Sequence, residues 1–324
     1  MVEKRKESSS RGKALVIGGS GFVGSHIADA LTAAGYGVRI FDLRESPYRT
    51  PDQEFVRGDI MDLEALTEAA KGCRYVYNFA GMADLEEAKD NPIGAARLNV
   101  LGNVHALEAA RRAEAERFIY ASTVYVYSGA GAFYRASKQA AEHFVETYHE
   151  RFGLSFTILR YGSLYGRRAG SQNGIYDLLR QALEHKKIRY EGDGEAVREY
   201  IHVEDAARLS VKILAPEFAN RHLILTGHER WKIRDLTRMI AEMLEEDIEV
   251  EFGNLHVDGH YAMTPYAFRP RLGHKLVAND FVDLGQGLLD CMSEIHEELR
   301  AGREQAASGN TAETTKNKEE KKEK

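Results

Sequence analysis

The run Gly18-Gly-Ser-Gly21-Phe22-Val23-Gly24 constrains this chain more than any other segment. It joins an apolar stretch, Lys13-Ala-Leu-Val-Ile-Gly18, to an apolar-periodic one, Ser25 to Ala34. The first reads as a buried strand and the second as a helix. Between them the glycines follow the spacing G-x-x-G-x-x-G. The first suits a tight turn, the second a close backbone approach to a pyrophosphate, the third the packing of helix on strand. A helix starting there directs free N–H groups and the positive end of its dipole at the phosphates. A second strand, Gly37-Val-Arg-Ile-Phe41, ends at Asp42. A carboxylate at that point accepts from the adenosine ribose hydroxyls and repels a 2′-phosphate, which favours NAD over NADP. Arg44 argues the other way, because a guanidinium can receive that phosphate. An ordinary strand–helix turn would account for the glycines alone, but not for strand, spacing, helix and acid in this order.

The alternation continues. Strands are expected near residues 13–18, 37–42, 54–57, 74–79, 116–121 and 155–160. Helices are expected near 22–34, 62–70, 93–113, 133–152 and 172–185, and Val203–Leu214 reads as another. This order implies a Rossmann-type, doubly wound parallel sheet with helices on both faces and the cofactor across the carboxyl ends of the strands. Residues 12–165 form the expected NAD-binding core. Residues 166–303 are expected to build mainly a smaller substrate-binding lobe, with returns to the core. The charged ends, 1–11 and 304–324, have little to bury and read as disordered tails.

Composition narrows the function. With 324 residues and a net charge of −6, no basic face for nucleic acid is implied. Cys73 and Cys291 give no disulfide framework and suit a reducing cytoplasm. No apolar run approaches the ~20 residues of a membrane span, and the first ten residues lack a signal-peptide core. His256 and His260 flank a glycine and have no evident third partner, so a metal site is not expected.

Tyr134 and Lys138 stand four residues apart in Phe133-Tyr-Arg-Ala-Ser-Lys-Gln-Ala-Ala-Glu142. That spacing puts a phenol and an ammonium on one helix face. A free phenol titrates near pH ~10 and is a poor base at neutrality. Lowering it by about 3 units takes about 4 kcal/mol, which a desolvated cation plus a cofactor charge would supply. By itself the spacing also describes an amphipathic pair on a surface helix.

Taken with the glycine run, these residues resemble the extended short-chain dehydrogenase/reductase family, its NAD-dependent nucleotide-sugar epimerases and dehydratases. The resemblance spans roughly residues 13–300. Gly58-Asp59-Ile60 resembles the adenine-contacting turn. Asn78-Phe-Ala80-Gly81 resembles the loop beneath the cofactor. Asn99-Val-Leu-Gly102 matches a helix with an asparagine before a small residue. Ala121-Ser-Thr-Val-Tyr-Val-Tyr127 matches the strand that delivers a catalytic Ser or Thr. Leu159–Gly166 and Gly192–Asp205 match two further segments.

The resemblance implies a sugar hydroxyl, at C4, as the reacting group. Tyr134 would be the base, Lys138 would hold the nicotinamide ribose and lower the tyrosine pKa, and Thr123 would bridge substrate oxygen and phenolate. Asp59, Ile60, Ala80 and Asn99 would line the cofactor. Family dehydratases carry an acidic pair directly after that threonine, and decarboxylases keep a glutamate there. Here the positions are Val124 and Tyr125, so elimination and decarboxylation are disfavoured. What remains is 4-epimerisation, or net 4-dehydrogenation with release of the keto-sugar. A catalytically silent NAD-binding regulator is the non-enzymatic alternative, and the intact Thr123, Tyr134 and Lys138 argue against it.

Arg198 matches the family's diphosphate-binding arginine, and Arg269, with Arg271 as an equal candidate, a second one. A guanidinium fork suits phosphate. Ser163 replaces an asparagine common in epimerases near the sugar. Ser128 replaces a glycine, and only Ser128 to Phe133 separate Tyr127 from Tyr134, where relatives have a longer loop. The lost loop volume suggests a sugar larger than a hexose, such as a heptose. Helices 93–113 and 133–152 match the pair that joins two subunits, so a homodimer is expected.

Overall fold

The computed structural model describes residues 11–244, 247–253 and 260–265. Arg269, Arg271, Cys291, His256 and the residues expected to be tails, apart from Arg11, lie outside them. The chain opens with β1 (Lys13–Ile17), α1 (Phe22–Ala33), β2 (Gly37–Asp42), β3 (Gln53–Arg57), α2 (Leu63–Ala70) and β4 (Tyr75–Asn78). Two short helices follow, α3 (Leu85–Asp90) and α4 (Pro92–Ala95), then a π-helical turn, Ala96–Leu101, and α5 (Gly102–Arg112). Next come β5 (Arg117–Thr123), the long α6 (Ala132–Phe152), β6 (Phe156–Tyr161) and β7 (Ser163–Tyr165). The remainder is α7 (Gly174–His185), β8 (Lys187–Tyr190), β9 (Val197–His202), α8 (Val203–Lys212), β10 (Arg221–Leu225), β11 (Arg230–Lys232), α9 (Ile233–Met243) and β12 (Glu249–Phe252).

Seven strands form the main sheet in the order β10-β6-β5-β4-β1-β2-β3, and each pairing is parallel. Parallel strands buried on both faces are near-continuously apolar, and β1 and β5 are buried along almost their whole length. One face packs Leu66, Leu107, Ala110 and Val145 against the sheet. The other packs Ile27, Leu31, Ala206 and Ala207. Side chains such as Leu107 and Ile27 have no exposed surface, and each contributes about 1.5–3 kcal/mol by leaving water. The fold is therefore the doubly wound Rossmann-type sheet that the alternation predicts.

A three-stranded sheet, β7-β9-β11, and the parallel pair β12-β8 lie apart from it in the hydrogen-bonding pattern. Residues 260–265 are stitched to β9. Val197 N–H donates to Ala262 O at 2.7 Å, and Glu199 N–H donates to Thr264 Oγ1 at 3.2 Å.

Two expectations change. The helix expected over 93–113 is interrupted by the π turn, which carries Asn99. Its side-chain amide binds both the N–H and the carbonyl of Met82, at 2.7 and 3.0 Å, and donates to Ser137 Oγ at 2.9 Å. Residues 121–127 are not one strand. Thr123 Oγ1 accepts from Tyr125 N–H at 3.2 Å, and that local bond turns Val124–Tyr127 into a 3₁₀ turn. The short α3 is a further element not expected from the sequence; Asp84 caps it by accepting from Glu86 and Glu87 N–H.

Candidate active site

The glycine turn sits at the carboxyl end of β1. Gly18 has φ +76°, and a Cβ there would lie 2.5 Å from Ala80 N. A Cβ on Gly24 would lie 2.2 Å from Gly18 O. Neither position accepts a side chain without backbone movement. Asp42, at the end of β2, accepts from Ser20 N–H at 3.0 Å and from Arg44 N–H at 3.3 Å. Asp42, Asp59, Ile60, Phe41 and Ala80 line a pocket of about 280 Å³. Arg44 is exposed and is not among its walls.

A larger cleft of about 560 Å³ shares Gly18, Gly21, Phe79 and Gly81 with that pocket. Phe22, Val23 and Gly24 line it, and so do Thr123, Tyr134 and Lys138. These residues fit a dinucleotide: a turn stripped of side chains for phosphates, an acid beside a partly apolar pocket, and a lysine in the adjoining cleft. Asn99 lines neither cavity, because Met82 and Ser137 engage its amide. Ala80 takes part through its backbone, whose N–H donates to Asn78 Oδ1 at 3.2 Å.

Thr123 is buried at the last position of β5, and Tyr134 lies in the first turn of α6. Thr123 and Tyr134 line the same cleft, and the Thr123 hydroxyl favours the anionic form of the phenol. Burial nevertheless pushes that phenol up to about 12, with Thr123 working in the opposite direction. The expected lowering by Lys138 is not found in the protein alone. Lys138 Nζ donates to Ala121 O at 2.9 Å and stands 5.9 Å from the centre of the Tyr134 ring. Burial pulls its own value down to about 8. Two groups competing for the same poorly solvated space each favour the neutral form.

On another side of the phenol, the fold assembles a group that the sequence did not disclose. Tyr125 meets the Tyr134 ring edge-on at 6.0 Å and lies 4.6 Å from the Tyr261 ring. Its hydroxyl is hydrogen-bonded to His260 Nδ1 at 2.9 Å. Burial raises the Tyr125 phenol, and burial together with Arg198 lowers His260. Arg198 is buried, its guanidinium 4.3 Å over the Tyr261 ring, and it donates to Val197 O at 3.1 Å. Ser163 Oγ is 3.5 Å from the Tyr261 hydroxyl. Arg198, Ser163 and Tyr134 are thus linked through Tyr261 and Tyr125. The non-acidic residue after Val124 was legible, but its partner 135 positions away was not. Among the described residues no group of three or more His, Cys, Asp or Glu could hold a metal ion.

Comparison with known proteins follows the same lines. The "Putative UDP-glucose 4-epimerase" of Methanocaldococcus jannaschii is 29% identical over 222 residues, covering 62% of this chain and 72% of the relative. The UDP-glucuronate 4-epimerase of Thermodesulfobacterium geofontis is 23% identical over 270 residues, covering 75% and 84%. Among solved structures, the Bacillus cereus UDP-glucuronic acid 4-epimerase in complex with UDP-glucuronic acid and NAD superposes with a TM-score of 0.72 at 25% identity. The match covers 79% of this chain and 90% of that one. The model of the NAD dependent epimerase/dehydratase family matches residues 14–224, a stretch that holds the glycine turn, Asp42, Thr123, Tyr134 and Lys138; the chain belongs to this family, whose cofactor is NAD.

Proposed function

We propose that the protein is a nucleotide-sugar 4-epimerase. The observation that carries this reading is the placement of Thr123, Tyr134 and Lys138 in one cleft with the glycine turn, with Val124 and Tyr125 rather than carboxylates following Thr123. Tyr134, as phenolate, takes the proton of the C4 hydroxyl, and Thr123 holds the sugar oxygen in hydrogen-bond reach of it. The glycine turn, Asp42 and Lys138 would hold NAD along the cleft, where it would supply reversible hydride acceptance at C4. Lys138 adds positive charge beneath the phenol and binds the cofactor ribose. The sugar ketone turns within the site, and Tyr134 gives the proton back to the same oxygen on the new face. Every atom and electron is returned, so the product is an isomer.

Arg198 binds the diphosphate, and its packing on Tyr261 ties the phosphate position to the reacting end. With valine at 124 and burial holding the Tyr125 phenol neutral, the two positions that carry the acidic pair in family dehydratases supply no carboxylate, which disfavours elimination of water. The relatives named above act on uridine-linked sugars, and UDP-hexoses, UDP-hexuronates and nucleotide-heptoses form the natural panel. The enzyme works in the cytoplasm as a homodimer formed through α5 and α6.

The test is mass spectrometry of nucleotide-sugars incubated with the protein and NAD. An isomer of unchanged mass is expected. A product lighter by two hydrogens would identify a 4-dehydrogenase, and loss of water would overturn the argument from Val124 and Tyr125.

A further inference from the structure

Glu142 lies one helical turn beyond Lys138, so Tyr134, Lys138 and Glu142 form a row along α6. Its side chain is buried, at 6% exposure, and both oxygens are engaged. Ser122 Oγ donates to Oε1 at 2.5 Å, Arg160 Nε to Oε1 at 3.0 Å, and Arg160 Nη2 to Oε2 at 2.5 Å. Ser122 immediately precedes Thr123 and is paired with Arg160 across β5 and β6. Arg160 also donates to the Tyr127 hydroxyl and lies 4.8 Å over the Tyr127 ring. One carboxylate therefore joins the helix that carries Tyr134 and Lys138, the strand end that carries Thr123, and the turn that carries Tyr125.

A buried ion pair of this kind is weak evidence for stability, because desolvation offsets much of the attraction. Its position suggests another use. Lys138 faces Ala121 O, the Tyr120 ring at 5.0 Å and Tyr134. Tyr161 and Thr123 stand in the same cleft wall. Among these groups Glu142 supplies the negative charge that opposes the effect of burial on the lysine, with Arg160 offsetting part of it.

We propose that Glu142 is a positioning residue for the hydride-transfer centre: it holds Thr123 and the Tyr134–Lys138 helix in register through Ser122 and Arg160. Its charge also favours the ammonium form of Lys138. This rests on the reading of Tyr134 and Lys138 as the reactive pair.

The experiment compares wild type, Glu142→Gln and Glu142→Asp across pH 6–9.5, measuring kcat/KM for epimerisation and NAD affinity by quenching of protein fluorescence. Activity that needs a protonated lysine falls as pH rises through its pKa. Removing the carboxylate moves that fall to lower pH. Glu142→Gln should lose several-fold in kcat/KM at pH 8 and recover most of it at pH 6, with NAD affinity following the same course. Glu142→Asp, which keeps the charge, should track wild type in pH dependence. A uniform loss at all pH values in both variants, or a Gln variant indistinguishable from wild type, would overturn the proposal. If Glu142→Gln does not fold, Ser122→Ala carries the test. It should lower kcat several-fold with KM unchanged, and full activity would count against the positioning role. Tyr134→Phe is measured alongside. An active Tyr134→Phe protein would sink the underlying functional reading, whereas an inactive one beside an unshifted Glu142→Gln profile would sink only this inference.

Discussion

Lys138 follows Tyr134 by one helical turn, yet its ammonium binds the Ala121 carbonyl at 2.9 Å and stands 5.9 Å from the phenol ring centre. The lysine is anchored to the strand that ends in Thr123, rather than to the tyrosine it was expected to activate. Burial holds the phenol at about 12 and the lysine at about 8. In the protein alone, then, the tyrosine is protonated at neutral pH. A bound NAD would supply, in its positive nicotinamide ring, an additional charge favouring the anion.

Tyr134→Phe removes the proton acceptor and leaves the cleft walls in place. Its kcat should fall by about 10²–10⁴-fold, while NAD titration gives an affinity close to wild type. Turnover within tenfold of wild type would remove Tyr134 from the mechanism.

Lys138→Met should stabilise the unliganded protein near pH 7 while abolishing turnover. The sign follows from linkage. The folded-state value, about 8, lies below the ordinary 10.5, so the unfolded chain binds more protons between those values. The stability of wild type therefore rises with pH through that window. The variant lacks the penalty for a buried ammonium, worth about 3 kcal/mol at pH 7. Paired denaturant melts should show the gap at pH 7 and its near closure by pH 10. A variant less stable than wild type at pH 7 would show that the bond to Ala121 outweighs desolvation.

Arg198→Lys keeps a positive charge but loses the planar fork and the packing on Tyr261. The KM for the nucleotide-sugar should rise about tenfold or more, with NAD affinity unchanged. Equal weakening of both ligands would point to a disturbed fold. An unchanged KM would place the diphosphate elsewhere.

Phe133, Phe144 and Phe152 on α6 are exposed, as is Leu101 just before α5. In the proposed homodimer these exposed apolar side chains would lie in the interface. Phe144→Glu should convert a dimer to a monomer in multi-angle light scattering. A wild-type protein that is monomeric at every concentration would refute the dimer.

The segments that were legible in the sequence carry their signal locally. The glycine turn, Asp42 and the alternation of strand and helix each depend on neighbours within one supersecondary unit, where spacing and periodicity report directly on geometry. Tyr134 and Lys138 could be found for the same reason, since four residues make one helical turn. The π turn at Asn99 was not legible, because its cause is a bond to Met82, 17 residues away. Nor was the break in the strand after Thr123, where one hydroxyl-to-backbone bond decides between strand and turn.

From its sequence alone, this protein was determined to be a dinucleotide-binding α/β fold with a Tyr–Lys pair and no carboxylate after Thr123. Only the tertiary structure decided what surrounds that pair. The parallel register of β5 on β6 sets Ser122 beside Arg160 and so places both around Glu142. The stitching of residues 260–265 to β9 brings His260 to Tyr125 and Tyr261 to Arg198. Contacts between residues so distant in the chain depend on which strands pair and in what register, and no local pattern of side chains encodes that pairing by itself.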